Sequence, residues 1–162
     1  MKKLYGNIVT GAFVMRTNRF VIHAEIDGRM EICHMPNPGR MRELLFPGVK
    51  MYLVKSRNPL NRTAYRVIGV ERDGEVILLD TSKCNDVAHY LVSHHLIAGW
   101  EEYSVVQREV TMGNSRFDLL LGNEATGEVF PVEVKSCTLF GEMGAMFPDA
   151  VTARGKKHVD HL

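Results

Sequence analysis

Apolar and polar residues alternate in short runs through the first half of the chain, and the alternation predicts strands. Between Gly11 and Val54 the runs are Ala12 to Met15, Arg19 to Ile26, Arg29 to His34 and Lys50 to Lys55. Asp27-Gly28, Pro36-Asn37-Pro38-Gly39 and Pro47-Gly48 separate them. Asp27-Gly28, flanked by alternating residues, is the strongest local hairpin signal in the chain. Ala64 to Glu71 and Val76 to Leu79 form a further pair joined at Asp73-Gly74. Five or so short strands within residues 1–80 predict a small closed or partly closed barrel, and an OB-fold is one candidate of that size.

The periodicity then changes. Val87, Leu91, His94 or His95, and Ala98 fall at helical spacing, which predicts a helix from about Asp86 to Ala98, with N-cap candidates at Thr81–Asp86 and Gly99 as its stop. Tyr103 to Thr111 reads as a strand. Two apolar runs from Ser115 to Ser136 flank Gly122-Asn123 and Gly127 and predict a hairpin. Phe117, Leu119, Leu121, Phe130, Val132 and Val134 make its core face. A turn centred on Glu124 and Ala125 sets Asp118 opposite position 131, with Glu133 its diagonal neighbour and Lys135 on the same polar face. Pro148-Asp149 opens a last helix, which carries Arg154, Lys156, Lys157 and His158.

At 162 residues and 45% hydrophobic content the chain is long enough for one medium domain or two small ones. It has no apolar run near membrane-spanning length and no export leader, so no membrane role is expected. Cys33, Cys84 and Cys137 are odd in number and widely spaced, which suits a reducing cytoplasm and argues against a disulfide scaffold or zinc ribbon. The net charge of +1 hides an asymmetry. Residues 1–80 hold 13 Lys and Arg against 8 Asp and Glu, a net +5, whereas 81–162 hold 7 against 11, a net −4. A basic half beside an acidic half suits a nucleic-acid-binding module next to a metal-dependent centre, and also suits chance asymmetry on two solvated surfaces.

Chemistry concentrates on the polar face of the hairpin. Asp118 and Glu133 offer hard oxygen ligands suited to magnesium or manganese. Lys135 can hold a water and neutralise charge developing on a phosphate. The same spacing also serves a solvated face of weak ion pairs, and spacing does not decide between the two. In the first half, Arg40 and Arg42 project from the proline-stiffened loop, while Arg16, Arg19, Lys50, Lys55, Arg57, Arg62 and Arg66 spread positive charge more widely. Such cations would grip phosphates with strong salt dependence and little sequence readout. A thiol hydrolase using Cys33 or Cys137 is the remaining chemistry, with no histidine clearly placed to activate either.

Asp118 followed by Glu133-Val134-Lys135 resembles the core signature of the PD-(D/E)XK nuclease superfamily, with Phe117 standing where the signature has proline. Cys33–Leu44, Ser115–Leu121, Val132–Leu139 and Phe147–His158 resemble the sugar fermentation stimulation protein A family. The resemblance implies an α+β, mixed fold. Residues 1–80 would form an OB-like nucleic-acid-binding barrel, and 81–162 an α/β nuclease-like domain that family members continue beyond this chain's last residue. It implies catalysis by Asp118, Glu133 and Lys135, with Mg²⁺ or Mn²⁺ on Asp118, Glu133 and an upstream acid. Glu109 is the candidate for that acid, with Glu101 and Glu102 open. DNA is the implied partner, held by Arg40, Arg42, Arg154, Lys156 and Lys157. A cytoplasmic metal-dependent deoxyribonuclease is one implied function. The other is a non-catalytic DNA-binding regulator of sugar (maltose) metabolism genes. Oligomers are common among such nucleases, although no interface stripe stands out here.

Overall fold

The computed structural model describes residues 2–56, 60–141 and 144–146. The expected helix from Asp149, with Arg154, Lys156 and Lys157, lies outside the described residues, as do Pro148 and Arg57. The chain divides into two compact units, one of Met1–Thr81 with Thr138–Gly141 and one built on Ser82–Cys137.

In the first unit, after a helical turn α1 (Lys2–Tyr5), come β1 (Ile8–Asn18), β2 (Val21–Ile26), β3 (Arg29–His34), β4 (Lys50–Lys55), β5 (Tyr65–Arg72) and β6 (Glu75–Leu78). β1 pairs antiparallel with β2 and β4, β2 with β3, and β4 with β5. A short parallel ladder, Cys33↔Tyr65 and His34↔Arg66, joins β3 to β5 and closes a five-stranded barrel, with β6 added as a hairpin on β5. Asp27-Gly28 and Asp73-Gly74 are two-residue turns with positive φ at both positions (50° and 73°, 52° and 82°), as a type I′ hairpin requires.

β1 is longer than alternation predicts, because register shifts at Phe13/Met15 and Arg16/Asn18 break the period of two. The same irregularity makes Arg19 and Phe20 a turn rather than the start of β2. Gly11 is required where β1 passes close to β2, since a Cβ there would meet the Glu25 carbonyl at 2.7 Å and Ile26 Cγ1 at 2.8 Å.

The barrel interior is filled by Ile22, Ala24, Met51, Leu53, Val67 and Val70, all fully buried. Between β3 and β4 the loop 35–49 folds back as a plug, with Met35, Met41 and Leu44 buried in the same core. Each such side chain contributes about 1.5–3 kcal/mol by leaving water.

The second unit opens on a 3₁₀ turn (Thr81–Lys83) and α2 (Cys84–Ser93), followed by the antiparallel sheet β7 (Ser104–Met112), β8 (Ser115–Gly122) and β9 (Val129–Val132) in that order. No side chain caps the N-terminus of α2. The helix also ends earlier than its apolar spacing suggests. His95 takes φ 53°, its N–H reaches the Val92 carbonyl, and the Leu96 N–H reaches Leu91, the two bonds of a Schellman ending. A histidine thus serves where glycine is usual, and Gly99 lies beyond the helix. Val92 of α2 packs on Leu119 and Leu121, with Phe130, Val132 and Val134 alongside. Trp100 and Tyr103 close the same core edge-on to Phe130, at 5.7 and 5.1 Å between ring centres.

Candidate functional site

The observed hairpin register is Leu119↔Val132, Leu120↔Pro131 and Leu121↔Phe130. Pro131 therefore faces Leu120, not Asp118, and the same register carried one step further sets Glu133 opposite Asp118. The cause lies in the turn. Asn123 Oδ1 accepts the N–H groups of Ala125 and Thr126, its carbonyl accepts Gly127 N–H, and its own N–H reaches Glu128 O. These bonds centre the loop between Ala125 and Thr126, one residue later than expected, and Gly127 supplies the left-handed φ of 73° that the return needs.

Asp118 is held by two donors. Asn85 Nδ2 gives a 2.7 Å bond to Oδ1, and the Val134 N–H gives a 2.7 Å bond to Oδ2. Asn85 in turn is fixed by its neighbour on the first turn of α2. Asp86 accepts Lys83 Nζ and an Arg108 guanidinium N–H, each at 2.8 Å, which ties α2 to β7. Those hydrogen bonds, from Lys83 first and then Arg108, hold the Asp86 carboxyl below its ordinary range. Glu133, whose side chain is only 11% exposed, forms an ion pair with Lys135.

The acids considered for a third ligand behave differently. Glu109 falls between the pairs Arg108↔Leu119 and Val110↔Phe117, level with Asp118, but its φ of 56° departs from strand geometry and its exposed carboxylate pairs with Arg116. Glu101 is exposed and accepts Gly99 N–H at 3.1 Å, and backbone N–H donors, its own and then that of Gly99, lower its pKa. Glu102 is exposed. Among the described residues no group of three His, Cys, Asp or Glu side chains converges. Asp118 is bonded to Asn85 and to the backbone of Val134, next in the chain to Glu133 with its Lys135 ion pair, while Glu109 lies level with Asp118 on β7 and is paired with Arg116. Asn85 carries no signal in the sequence beyond its place in a polar run, because its role depends on the tertiary contact between α2 and β8.

The first unit holds a second candidate surface. An open cleft of about 420 Å³ is lined by Arg16, Arg19, Arg40 and Arg42 with Phe13 and Leu45, and by no carboxylate. Its floor is built by Arg16, whose guanidinium donates to the carbonyls of Gly39 (2.5 Å), Arg40 (3.2 Å), Asn37 (2.9 Å), Arg19 (2.6 Å) and, through Nε, Asn18 (3.2 Å). Asn37 Oδ1 accepts Gly39 N–H at 2.9 Å and tightens the same loop.

Several cations counted as general surface charge have other duties. Arg16 is spent on carbonyls. Arg66 forks onto buried Asp80 at 3.0 and 2.6 Å, and Lys50 pairs with Glu71 at 2.8 Å. Arg40 and Arg42 stay exposed. The thiol reading loses its support at Cys33, which is fully buried and whose pKa is pushed up to about 12, first by burial and then by Glu31. Cys137 Sγ donates to Met146 O at 2.8 Å.

Comparison with known proteins follows the same division. Residues 14–79 match the family model described as the SfsA N-terminal OB domain, and residues 82–162 match that of the sugar fermentation stimulation protein RE domain. A sugar fermentation stimulation protein homolog of Desulfitobacterium hafniense is 42% identical over 158 residues, covering 98% of this chain and 67% of the relative. One from Methanothermobacter thermautotrophicus is 37% identical over 156 residues, covering 96% and 64%. A solved structure described as Pyrococcus furiosus SfsA in complex with Ca²⁺ superposes with a TM-score of 0.79 at 29% identity, over 97% of this chain and 66% of that one. The chain thus spans about two thirds of the length of these relatives.

Proposed function

From the premise that the chain belongs to the sugar fermentation stimulation protein family, we propose that it binds DNA and hydrolyses phosphodiester bonds with the help of a divalent cation. The observation that carries this reading is the clamping of Asp118 by Asn85 Nδ2 and the Val134 N–H, beside the Glu133–Lys135 ion pair. A purely solvated hairpin face has no need of a carboxylate held by two directed donors.

The donor set fits a hard cation. Asp118 and Glu133 present oxygen alone, the ligand type of Mg²⁺, Mn²⁺ and Ca²⁺. The Ca²⁺ in the description of the Pyrococcus furiosus structure supports the same chemistry. A cation on these two carboxylates would supply Lewis-acid polarisation of a phosphoryl oxygen and a more acidic water.

Within the chain, Asp118 and Glu133 form the binding pair, and Asn85 with the Val134 N–H keeps Asp118 from rotating. The Lys135 ammonium faces the charge that builds on the non-bridging oxygens as a water oxygen adds to phosphorus and the ester P–O bond breaks. The arginine cleft of the barrel unit favours a second reading, a DNA-binding regulator, because binding through guanidinium groups needs no carboxylate pair.

Cleavage of labelled DNA in Mg²⁺, Mn²⁺ or EDTA, with wild type and Glu133→Ala, tests the proposal beside anisotropy binding on the same samples. Metal-dependent cutting that is lost in the variant while binding persists is the expected result. Binding without cutting by the wild type would replace it with the regulatory reading.

A further inference from the structure

The turn between β1 and β2 consists of Arg19 and Phe20, since Asn18 pairs with Val21 across it. The backbone under Phe20 is pinned on both sides. Its N–H donates to Asn18 Oδ1 and its carbonyl accepts Met35 N–H, each at 2.9 Å. The ring is nevertheless 47% exposed. It lies over the imidazole of His34, the last residue of β3, with ring centres 6.4 Å apart and planes inclined by 19°. Two residues earlier on the same outward face Ile32 is 46% exposed and extends the apolar surface.

The preceding residue, Arg19, lines the cleft that holds Arg40 and Arg42 and no carboxylate. Consecutive residues thus serve two surfaces, one rich in cations and one of aromatic rings. Their charges and faces complement one class of partner, a nucleic acid strand whose phosphates seek cations and whose unpaired bases present π faces. A duplex hides those faces within its stack. The barrel topology agrees, because OB barrels engage oligonucleotides with the faces of strands 2 and 3 and the turn between strands 1 and 2.

We infer that Phe20 and His34 form a base-stacking platform beside the Arg19, Arg40 and Arg42 cleft, and that the chain takes single-stranded in preference to double-stranded nucleic acid. The inference rests on the nucleic-acid reading proposed above and adds strand state and contact residues to it. Stacking on the rings is tolerant of sequence, and the arginines supply a salt-dependent hold on the backbone.

The test is fluorescence anisotropy in EDTA, which prevents cutting, with labelled oligothymidylate of roughly 16 nucleotides and a duplex of equal length. The proteins are wild type, Phe20→Ala and Phe20→Leu, each checked for an unchanged urea midpoint. The wild type should hold the single strand more tightly. Phe20→Ala should weaken single-strand binding roughly 5- to 100-fold, as loss of a base–aromatic stack does. Phe20→Leu, which keeps apolar bulk without the ring, should also weaken it, and duplex binding should change less than about two-fold in both variants. Equal binding of both nucleic acids by the wild type, or a single-strand affinity indifferent to Phe20→Ala, overturns this inference and leaves nucleic-acid binding intact. No binding of either by the wild type overturns both.

Discussion

Arg16 offers a direct test of what holds the loop between β3 and β4. In Arg16→Ala all five guanidinium bonds disappear, and with them the tether from β1 to the carbonyls of Asn37, Gly39 and Arg40. Two of the five, to Gly39 and Asn37, are partly shielded from water, and the other three are exposed. A hydrogen bond from a charged donor contributes about 1.5–3 kcal/mol when shielded, and an exposed one contributes little because water replaces it. Both bonds are only partly shielded and so fall near the lower end of that range, which makes the expected loss about 3–4 kcal/mol. Arg16→Lys keeps the charge but replaces a planar fork by a point donor, so it should recover less than half of that. Urea unfolding followed by far-UV circular dichroism would read the midpoint, and hydrogen exchange would read the loop, where amide protection should fall across residues 37–45. A midpoint within about 0.5 kcal/mol of wild type, a shift usual for a surface substitution, together with unaltered loop protection, would refute the account.

Asp80 is 1% exposed and accepts the Arg66 fork, so Asp80→Asn should cost about 2–3 kcal/mol, below the full penalty of a buried pair because Arg66 keeps 35% exposure; Asp80→Leu with Arg66→Met should restore much of it in the same urea assay. Asp86 titrates below its ordinary 3.8 in the fold, so its contribution is present above that value and is lost as pH falls through the folded pKa. The urea midpoints of wild type and Asp86→Asn should differ at pH 7 and converge as the pH falls through the lowered folded pKa, below the ordinary carboxylate range. The proposed nuclease reading predicts that Asn85→Ala reduces metal-dependent cutting by roughly 10- to 100-fold without loss of fold, as removal of a group that orients a ligand does, with cleavage kinetics and urea midpoint measured together. Cys33, with its thiol pushed up to about 12, should resist alkylation at pH 8 in the folded protein and react once urea unfolds it, which mass spectrometry of the modified peptide would show.

The elements most legible in the sequence are those fixed by local chemistry. Asp27-Gly28 and Asp73-Gly74 make turns wherever they occur between alternating runs, and the apolar face of Leu119, Leu121, Phe130, Val132 and Val134 follows from a period of two. What escaped depends on bonds between residues distant in the chain, or on one residue taking an unusual conformation. Two irregularities conceal the length of β1. His95 ends α2 from a left-handed position that its side chain does not advertise. A single step in the centre of the Asn123 turn moves Pro131 away from Asp118 and onto Leu120. The two carboxylates and the lysine are legible as a set, whereas Asn85 is not, since nothing near it in sequence announces the contact. Counting charges likewise showed a basic half but not that Arg16, Lys50 and Arg66 are already committed within it.

The parallel ladder between β3 and β5 has a consequence for how the barrel comes together and comes apart. It comprises only two residue pairs, 32 positions apart in sequence, while every other junction around the ring is antiparallel and longer. Closing a loop of that length costs entropy that two pairs repay poorly, so this seam forms late in folding and parts first under stress. Once parted, it extends the unpaired margin of β3, already open beside exposed Met30 and Ile32, to the whole strand, and such a margin is a template for another chain. A substitution that strengthened pairing at Cys33 and His34 would therefore slow aggregation more than it raised the melting point.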